Sequence, residues 1–556
     1  MNNYKGDSMM YQQMEALTRE LVKVASVNGT DGERNIGEKI ESVIREMPYF
    51  KAHPEYVFVE PLKNDPLGRR NVLALFRGEK EENNKTLIWH GHTDTVGVED
   101  YKALKEYAFD CEELEKQLHR MELSEEMKED LESGDYLFGR GACDMKSGDA
   151  VFLVLLRKLS ENPKAFSGNI LVSFQPVEEN LHTGVMEASE LLLEIKERFH
   201  LTYVLAINND YICPLYPGDS KRYVYLGSVG KLLPCFYIQG KETHVGQCFE
   251  GFDASLAAVE LVRQISLNAE FCDEYHGEYT LPPSVLKAKD LKQRYDVQTA
   301  YASFVYFNYF VHNEGVEKTT EKLKRAATDA MQRVEEHINT QYRKYCEQTK
   351  DTFHEYHYEK KVYTYEELKN KVREEFGEGF FEDFPKRIKE LEESGVDKRE
   401  IPITLIQHML SALKENEPVM VLYYAAPYCP HNTLKEEVES ERMVIEKLQK
   451  TVKATAQETG EEYQILQFFP SLTDSSYLKI DDSKESLSCL KANFPGIGQL
   501  YDLPFENIKK LNIPAVDFGC YGKDAHKWSE RVYKPYSFGV LPKLILNATE
   551  EFLKAN

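Results

Sequence analysis

The chain is poor in cysteine: it has ten in 556 residues, scattered and without a Cys-x-x-Cys pair. That excludes a disulfide scaffold and points to reduced thiols in the cytoplasm. Long hydrophobic runs are missing too. Stretches such as Ala150–Leu156 fall far short of the ~18–20 residues that span a bilayer. Met1–Asp7 is polar and lacks the apolar region of a signal peptide. Positive charge is in deficit, with 69 Lys+Arg against 93 Asp+Glu and a net charge of −24. A field of that sign repels phosphate backbones and anionic headgroups, so neither nucleic acid nor membrane is an expected partner. No Gly-x-Ser-x-Gly elbow precedes a helix, which leaves little behind a metal-free nucleophilic hydrolase. What remains is globular: 42% hydrophobic, 12% aromatic and 29% charged residues. The length suits two large domains or three to four smaller ones.

Residues 10–47 have helical periodicity broken at Asn28–Gly32, where Thr30 or Asp31 is a candidate cap. Short apolar runs follow at 56–59, 71–76, 86–90, 169–174 and 203–207. They suit strands buried in a parallel or mixed sheet, and helical stretches at 146–160 and 184–199 separate them. This alternation predicts a three-layer α/β/α domain with a mixed sheet. Residues 98–135 interrupt it with 14 acidic and 5 basic residues, a solvated helical insertion. After residue 226 a β-α-β-α order reads as a smaller α+β, ferredoxin-like domain inserted into the first. The expected division is a catalytic domain of residues 1–225 and 365–556 and a lid or dimerisation domain of residues 226–364, with a second helical insertion at 350–415.

Polar clusters stand at the ends of four strands: His90–Asp94, Asp144–Lys146, Glu178–Asn180 and Asn208–Asp210. Open α/β sheets bind ligands beyond the carboxyl ends of their strands, so these clusters mark one candidate site. Imidazole and carboxylate without thiolate suit Zn²⁺, and also Mn²⁺ or Co²⁺. His92 and Asp94, two apart, share a strand face, which lets Asp94 hold the His92 ring from behind. In Glu178-Glu179 one carboxylate can bind metal while the other serves as base. Cys143 and Cys520 read as small packed side chains.

Taken together, His-x-Asp-x-Val at 92–96, Gly-Arg-Gly-x-x-Asp-Met-Lys at 139–146 and Glu-Glu at 178–179 resemble the co-catalytic zinc metallopeptidases. That family includes aminoacylases, acetylornithine deacetylase, succinyl-diaminopimelate desuccinylase, and glutamate carboxypeptidase and dipeptidase enzymes. Gly240–Gly246, Leu472–Tyr477 and Phe518–His526 resemble its lid histidine motif, its late Thr-Asp segment and its C-terminal histidine block. The resemblance covers residues 10–350 and 415–556. It implies two Zn²⁺, one held by His92, Asp144 and Asp210, the other by Glu179, His526 and the bridging Asp144. It also implies Glu178 as general acid/base, Asp94 as orienter of His92, and a cis peptide at Asp144-Met145. His244 would serve the oxyanion, supplied by the partner in a homodimer formed through the lid domain.

The implied activity is hydrolysis of an amide in a small amino-acid derivative, by dipeptide cleavage or N-deacylation, with closure of the lid over the substrate. Length and layout look closest to members of the family linked to arginine catabolism. Two departures stand out. Asp210 lies where many members carry Glu, and no Arg is found near Phe307–Asn313, where many members clamp a substrate carboxylate; His312 or Asn308 would have to substitute. These departures keep open an alternative, a catalytically inactive binding or scaffold protein on the same fold.

Overall fold

The computed structural model describes residues 8–471 and 473–554; Met1–Asp7 and Leu472, on which two of the readings above touch, lie outside the described residues. The chain forms two compact units. The first holds the chain through Val229, His431–Ile480 and the segment from Pro504 on; the second holds Gly230–Pro430 and Asp481–Leu503.

The first unit is built on an eight-stranded mixed sheet. Its strands are β1 (Val57–Pro61), β2 (Arg70–Arg77), β3 (Lys85–His92), β4 (Asn169–Gln175), β5 (Thr202–Asn208), β6 (Arg222–Tyr225), β7 (Tyr463–Leu466) and β8 (Ala515–Asp517), in the order β1-β2-β4-β3-β5-β8-β6-β7. The centre is parallel, with β3 between β4 and β5 and β8 beside β5. Side chains alternate between two cores. Trp89 and Val172 face helix Ser147–Ser160, and Trp89 stacks on Phe152 at 5.1 Å. Ile88 and Leu171 face the opposite way, toward Leu192 and Ile195 of helix Thr183–Arg198. Helices on both faces make this a three-layer α/β/α unit, in which Thr30 caps helix Asp31–Arg45 by accepting from the Gly32 N–H.

The acidic stretch after Val98 carries its own small core. Tyr101, Leu104, Leu114, Leu118, Met127 and Leu131 pack with Phe138. Its acids are used as ties: Asp130 pairs with Arg531 at 2.8 Å and with Lys523 at 2.9 Å.

The second unit has a sheet of strands Ser284–Asp290, Ala302–Val311, Pro234–Gln239, Val419–Tyr424 and Lys361–Thr364, in that order. Helices Ala254–Ile265 and Val316–Thr349 cover one face, where Ser255 meets Ser303 and Thr320 bonds the Tyr424 hydroxyl at 2.7 Å. Cys235, Tyr237, Phe304 and Val421 on the other face pack with Leu368, Ile388 and Ile406. The boundary expected after residue 364 therefore falls after Pro430. Lys361–Thr364 adds a parallel strand to Val419–Tyr424, and the apolar faces of helices Tyr365–Phe376, Phe384–Glu393 and Ile401–Ala412 are spent on this sheet. The α+β unit thereby gains a third layer. His312 is packed within it, its ring 4.5 Å from that of Tyr275 and its N–H donating to Asp273; Asn308 faces Ser284 in the strand register.

All ten cysteines are free thiols, and among the described residues no helix is long and apolar enough to cross a membrane.

Candidate metal centre

β3 ends on His92, and its period of two puts Trp89 and Gly91 on the helix-packed face and His90 and His92 on the other. Gly91 must stay small, because a Cβ there would come within 2.5 Å of Met145 Cε and 2.7 Å of Asp149 Oδ1. His92 Nδ1–H donates to the Asp94 main-chain carbonyl at 3.2 Å, which turns Nε2 inward.

Asp144 follows the turn Gly139–Gly141, and its peptide bond to Met145 is cis. Its two oxygens face two histidines. Oδ1 lies 2.9 Å from His92 Nε2, and Oδ2 lies 3.0 Å from His526 Nε2. His526 Nε2 is also 2.8 Å from Glu179 Oε1. Asp210, two residues beyond β5, brings Oδ2 to 4.0 Å from His92 Nε2, and its Oδ1 accepts from the Tyr211 N–H. Five candidate ligands thus converge, drawn from four strand-end loops and the C-terminal block. His92, Asp144 and Asp210 are buried, whereas His526 is half exposed and forms the open side.

Asp94 meets the His92 ring through its main-chain carbonyl, and its side chain is engaged elsewhere. Its carboxylate is 3.7 Å from His92 Nδ1 but accepts from the N–H groups of Glu178 at 3.0 Å and Glu179 at 3.1 Å, and from Asn28 Nδ2 at 3.0 Å. The clamp fixes the turn that carries both glutamates.

The electrostatics call for cations. Burial pushes the Glu178 carboxyl well above the ordinary glutamate range and raises Glu179, with neighbouring carboxylates adding to the effect. Burial beside Asp144 lifts Asp210 to about 8. Burial opposes charge on Asp144 as well, but hydrogen bonds from His526 and His92 keep it ionised. Burial also opposes charge on His526, yet Asp144 and Glu179 raise it to about 12. Buried carboxylates and imidazoles whose donor atoms are 2.8–4.0 Å apart, with no thiolate among them, fit Zn²⁺, Mn²⁺ or Co²⁺.

The residue pattern did not disclose several supports. Glu530 Oε1 accepts from the Cys143 and Asp144 N–H groups at 3.1 and 3.2 Å, and Arg140 bonds Glu530 Oε2 at 2.7 Å. Arg140 reaches on to Asp100 in the acidic insertion. Apart from these supports, His182 pairs with Asp474, the acid of the late Thr-Asp segment, at 3.0 Å. The Glu530 and His182 pairings span hundreds of residues and the Arg140–Asp100 pair spans 40, and only the Gly-Arg-Gly motif hinted at one partner. His244 belongs to the second unit, where it is exposed and its Nδ1 accepts from the Gly246 N–H at 3.0 Å.

Residues 88–532 match the model of peptidase family M20/M25/M40. The chain is 37% identical to Protein RocB of Bacillus subtilis (strain 168) over 548 residues, covering 98% of this chain and 95% of that protein. It is 31% identical over 553 residues to the protein YqjN of the same organism, covering 98% and 96%. Among solved structures, a tripeptidase from Staphylococcus aureus superposes with a TM-score of 0.52 at 14% identity, over 98% of this chain and 99% of that one. At that identity the likeness speaks for the fold alone.

Proposed function

The chain belongs to peptidase family M20/M25/M40, and we propose that it hydrolyses an amide bond in a small amino-acid derivative, in the cytoplasm, with two divalent cations, zinc first among them. The observation that carries this reading is the splitting of the Asp144 carboxylate, with one oxygen on His92 and the other on His526. A carboxylate so placed suits a bridge between two cations. His92, Asp144 and Asp210 would hold one, and Glu179, His526 and Asp144 the other. Bound there, the cations supply Lewis acidity, which polarises the amide carbonyl and makes a water acidic enough to attack near neutral pH.

The remaining work falls to the chain. Glu178 is the general acid/base. It is buried, its turn is clamped by Asp94, and its raised pKa lets it hold a proton between steps. It takes a proton from the attacking water and passes it to the leaving nitrogen. With Nδ1 engaged by Gly246, His244 keeps Nε2–H as a donor; we assign it to the oxyanion, contributed by the partner in a homodimer. A role in arginine catabolism, with arginine-bearing substrates, rests on the family resemblance of length and layout read from the sequence.

The test is Glu178→Gln, assayed on N-acyl arginine, N-acyl ornithine and arginine dipeptides against the wild type. At two equivalents of Zn²⁺ the variant should hold as much metal as the wild type and turn over at least a hundredfold more slowly, within the range of general acid/base contributions. Equal activity would overturn the mechanism. A wild type that binds no Zn²⁺, Mn²⁺ or Co²⁺ would favour the inactive scaffold instead.

A further inference from the structure

A second donor set lies in the first unit and uses none of the five ligands assigned above. Glu178, His182 and Asp474 each offer one donor atom, and the three atoms lie within 4.8 Å of one another. His182 Nδ1 is 3.0 Å from Asp474 Oδ1 and 3.9 Å from Glu178 Oε1. Donors about 2.0–2.1 Å from a tetrahedral zinc stand roughly 3.3 Å apart, a value these two separations bracket.

One turn carries Glu178 and His182, and a separate segment carries Asp474. The main-chain N–H of His182 donates to Val177 O at 2.9 Å and closes the turn that begins with Glu178. His182 itself sits at φ 55, in the left-handed region, as the residue before helix Thr183–Arg198. Asp474 opens the short helical turn Asp474–Leu478, capped by Thr473, whose hydroxyl accepts from Asn208 Nδ2 at 2.6 Å.

Charge and satisfaction point the same way. With a neutral imidazole the trio carries two carboxylates. Asp474 is 3% exposed, and its Oδ2 is buried with no hydrogen-bond partner among the described residues. A buried carboxylate oxygen left unpaired is costly, and a divalent cation satisfies it. One imidazole and two carboxylates form the donor set of a zinc-type cation with room for water at a fourth position.

We propose that Glu178, His182 and Asp474 form a third divalent-cation site, and that filling it withdraws Glu178 from proton transfer, so that excess metal switches the enzyme off. The second half rests on the proposed function; the first does not. The site would be weaker than the bridged pair, since it has three protein ligands and no shared carboxylate.

The test is zinc binding to the full chain by equilibrium dialysis with elemental analysis, using Zn²⁺ alone as probe. The wild type should take up one equivalent more than His182→Gln or Asp474→Asn, each of which should weaken the loosest class of sites at least tenfold and leave the tighter classes unchanged. His92→Gln should do the reverse, losing tight metal and keeping the loose equivalent. Loose binding that survives in both His182→Gln and Asp474→Asn overturns the site. Should either variant fail to fold, anomalous diffraction from wild-type crystals at saturating Zn²⁺ decides: a peak among the three side chains supports the site, and its absence while the Asp144 centre is filled overturns it. Tight metal that persists in His92→Gln would count against the proposed centre, not against this site. On any substrate found, excess Zn²⁺ should inhibit the wild type at least tenfold, and loose binding without inhibition would remove the switch and leave the site.

Discussion

Glu530 Oε1 accepts the main-chain N–H of Asp144 at 3.2 Å, so a buried carboxylate of the C-terminal block supports the residue at the middle of the candidate metal centre. Its other oxygen is tied to Arg140 at 2.7 Å, with both side chains about 1% exposed. Glu530→Gln should keep the fold while weakening metal binding by about 10- to 100-fold, as loss of outer supports does elsewhere. Glu530→Ala should destabilise by about 1–3 kcal/mol, because it leaves the Cys143 and Asp144 N–H groups and one Arg140 donor without their acceptor, while Asp100 still pairs the Arg140 charge. Chelator competition and denaturant unfolding measure the two effects; unchanged metal affinity in Glu530→Gln would remove Glu530 from the support of Asp144.

Asp94 gives both oxygens to the Glu178–Glu179 turn. Asparagine there offers one acceptor and aims an NH₂ at a donor. Asp94→Asn should cost about 1–3 kcal/mol for the orphaned N–H. It should also lower metal affinity more than tenfold although Asp94 is no ligand in this scheme. Titration with Zn²⁺ followed by calorimetry checks both.

Metal should stabilise the folded chain. At a free Zn²⁺ concentration of about 100 times Kd, mass action adds about 2.7 kcal/mol per site. Protein stripped with chelator should therefore melt lower and regain its Tm on addition of Zn²⁺. Asp144→Asn, which alters the shared carboxylate, should show little of that recovery. A stripped wild type with unchanged Tm would speak against a preformed centre.

Acid sensitivity has a traceable source in the second unit. Burial opposes charge on Glu335, but Lys360 at 2.8 Å and the Tyr358 N–H at 2.7 Å hold its carboxyl below the ordinary value of 4.5. A carboxyl depressed in the folded state contributes stability that is complete above its unfolded pKa and is lost as pH falls through the folded one. Glu335→Gln should therefore be less stable than the wild type at neutral pH, with the gap closing as the medium is acidified below 4.5. Urea midpoints at a series of pH values give the comparison, and a gap that widens in acid would reverse the assignment.

How much of this was legible beforehand follows from the reach of each signal. β3 and β4 are long enough to show their apolar runs, and the polar residues that end them were visible as ligand candidates. β8 has three residues and no readable period. Helix Ile401–Ala412 announced an apolar surface but not which sheet would take it, and so the unit boundary was misplaced by dozens of residues. The bond from His182 to Asp474 spans 292 positions, and that from Asp144 to Glu530 spans 386. No local pattern encodes such partners. The candidate ligands stood out because their residue types are rare together; the residues that brace them are ordinary acids and arginines.

The first unit is stitched from three stretches of chain, and His526, which meets both Glu179 and Asp144, comes from the last of them. On the ribosome, a growing polypeptide can lay down β3 and β4 early yet stays unable to close the ring of donors until translation has passed position 526. A chain that stops short of that position would carry the strand-end donors without the imidazole that joins Glu179 to Asp144.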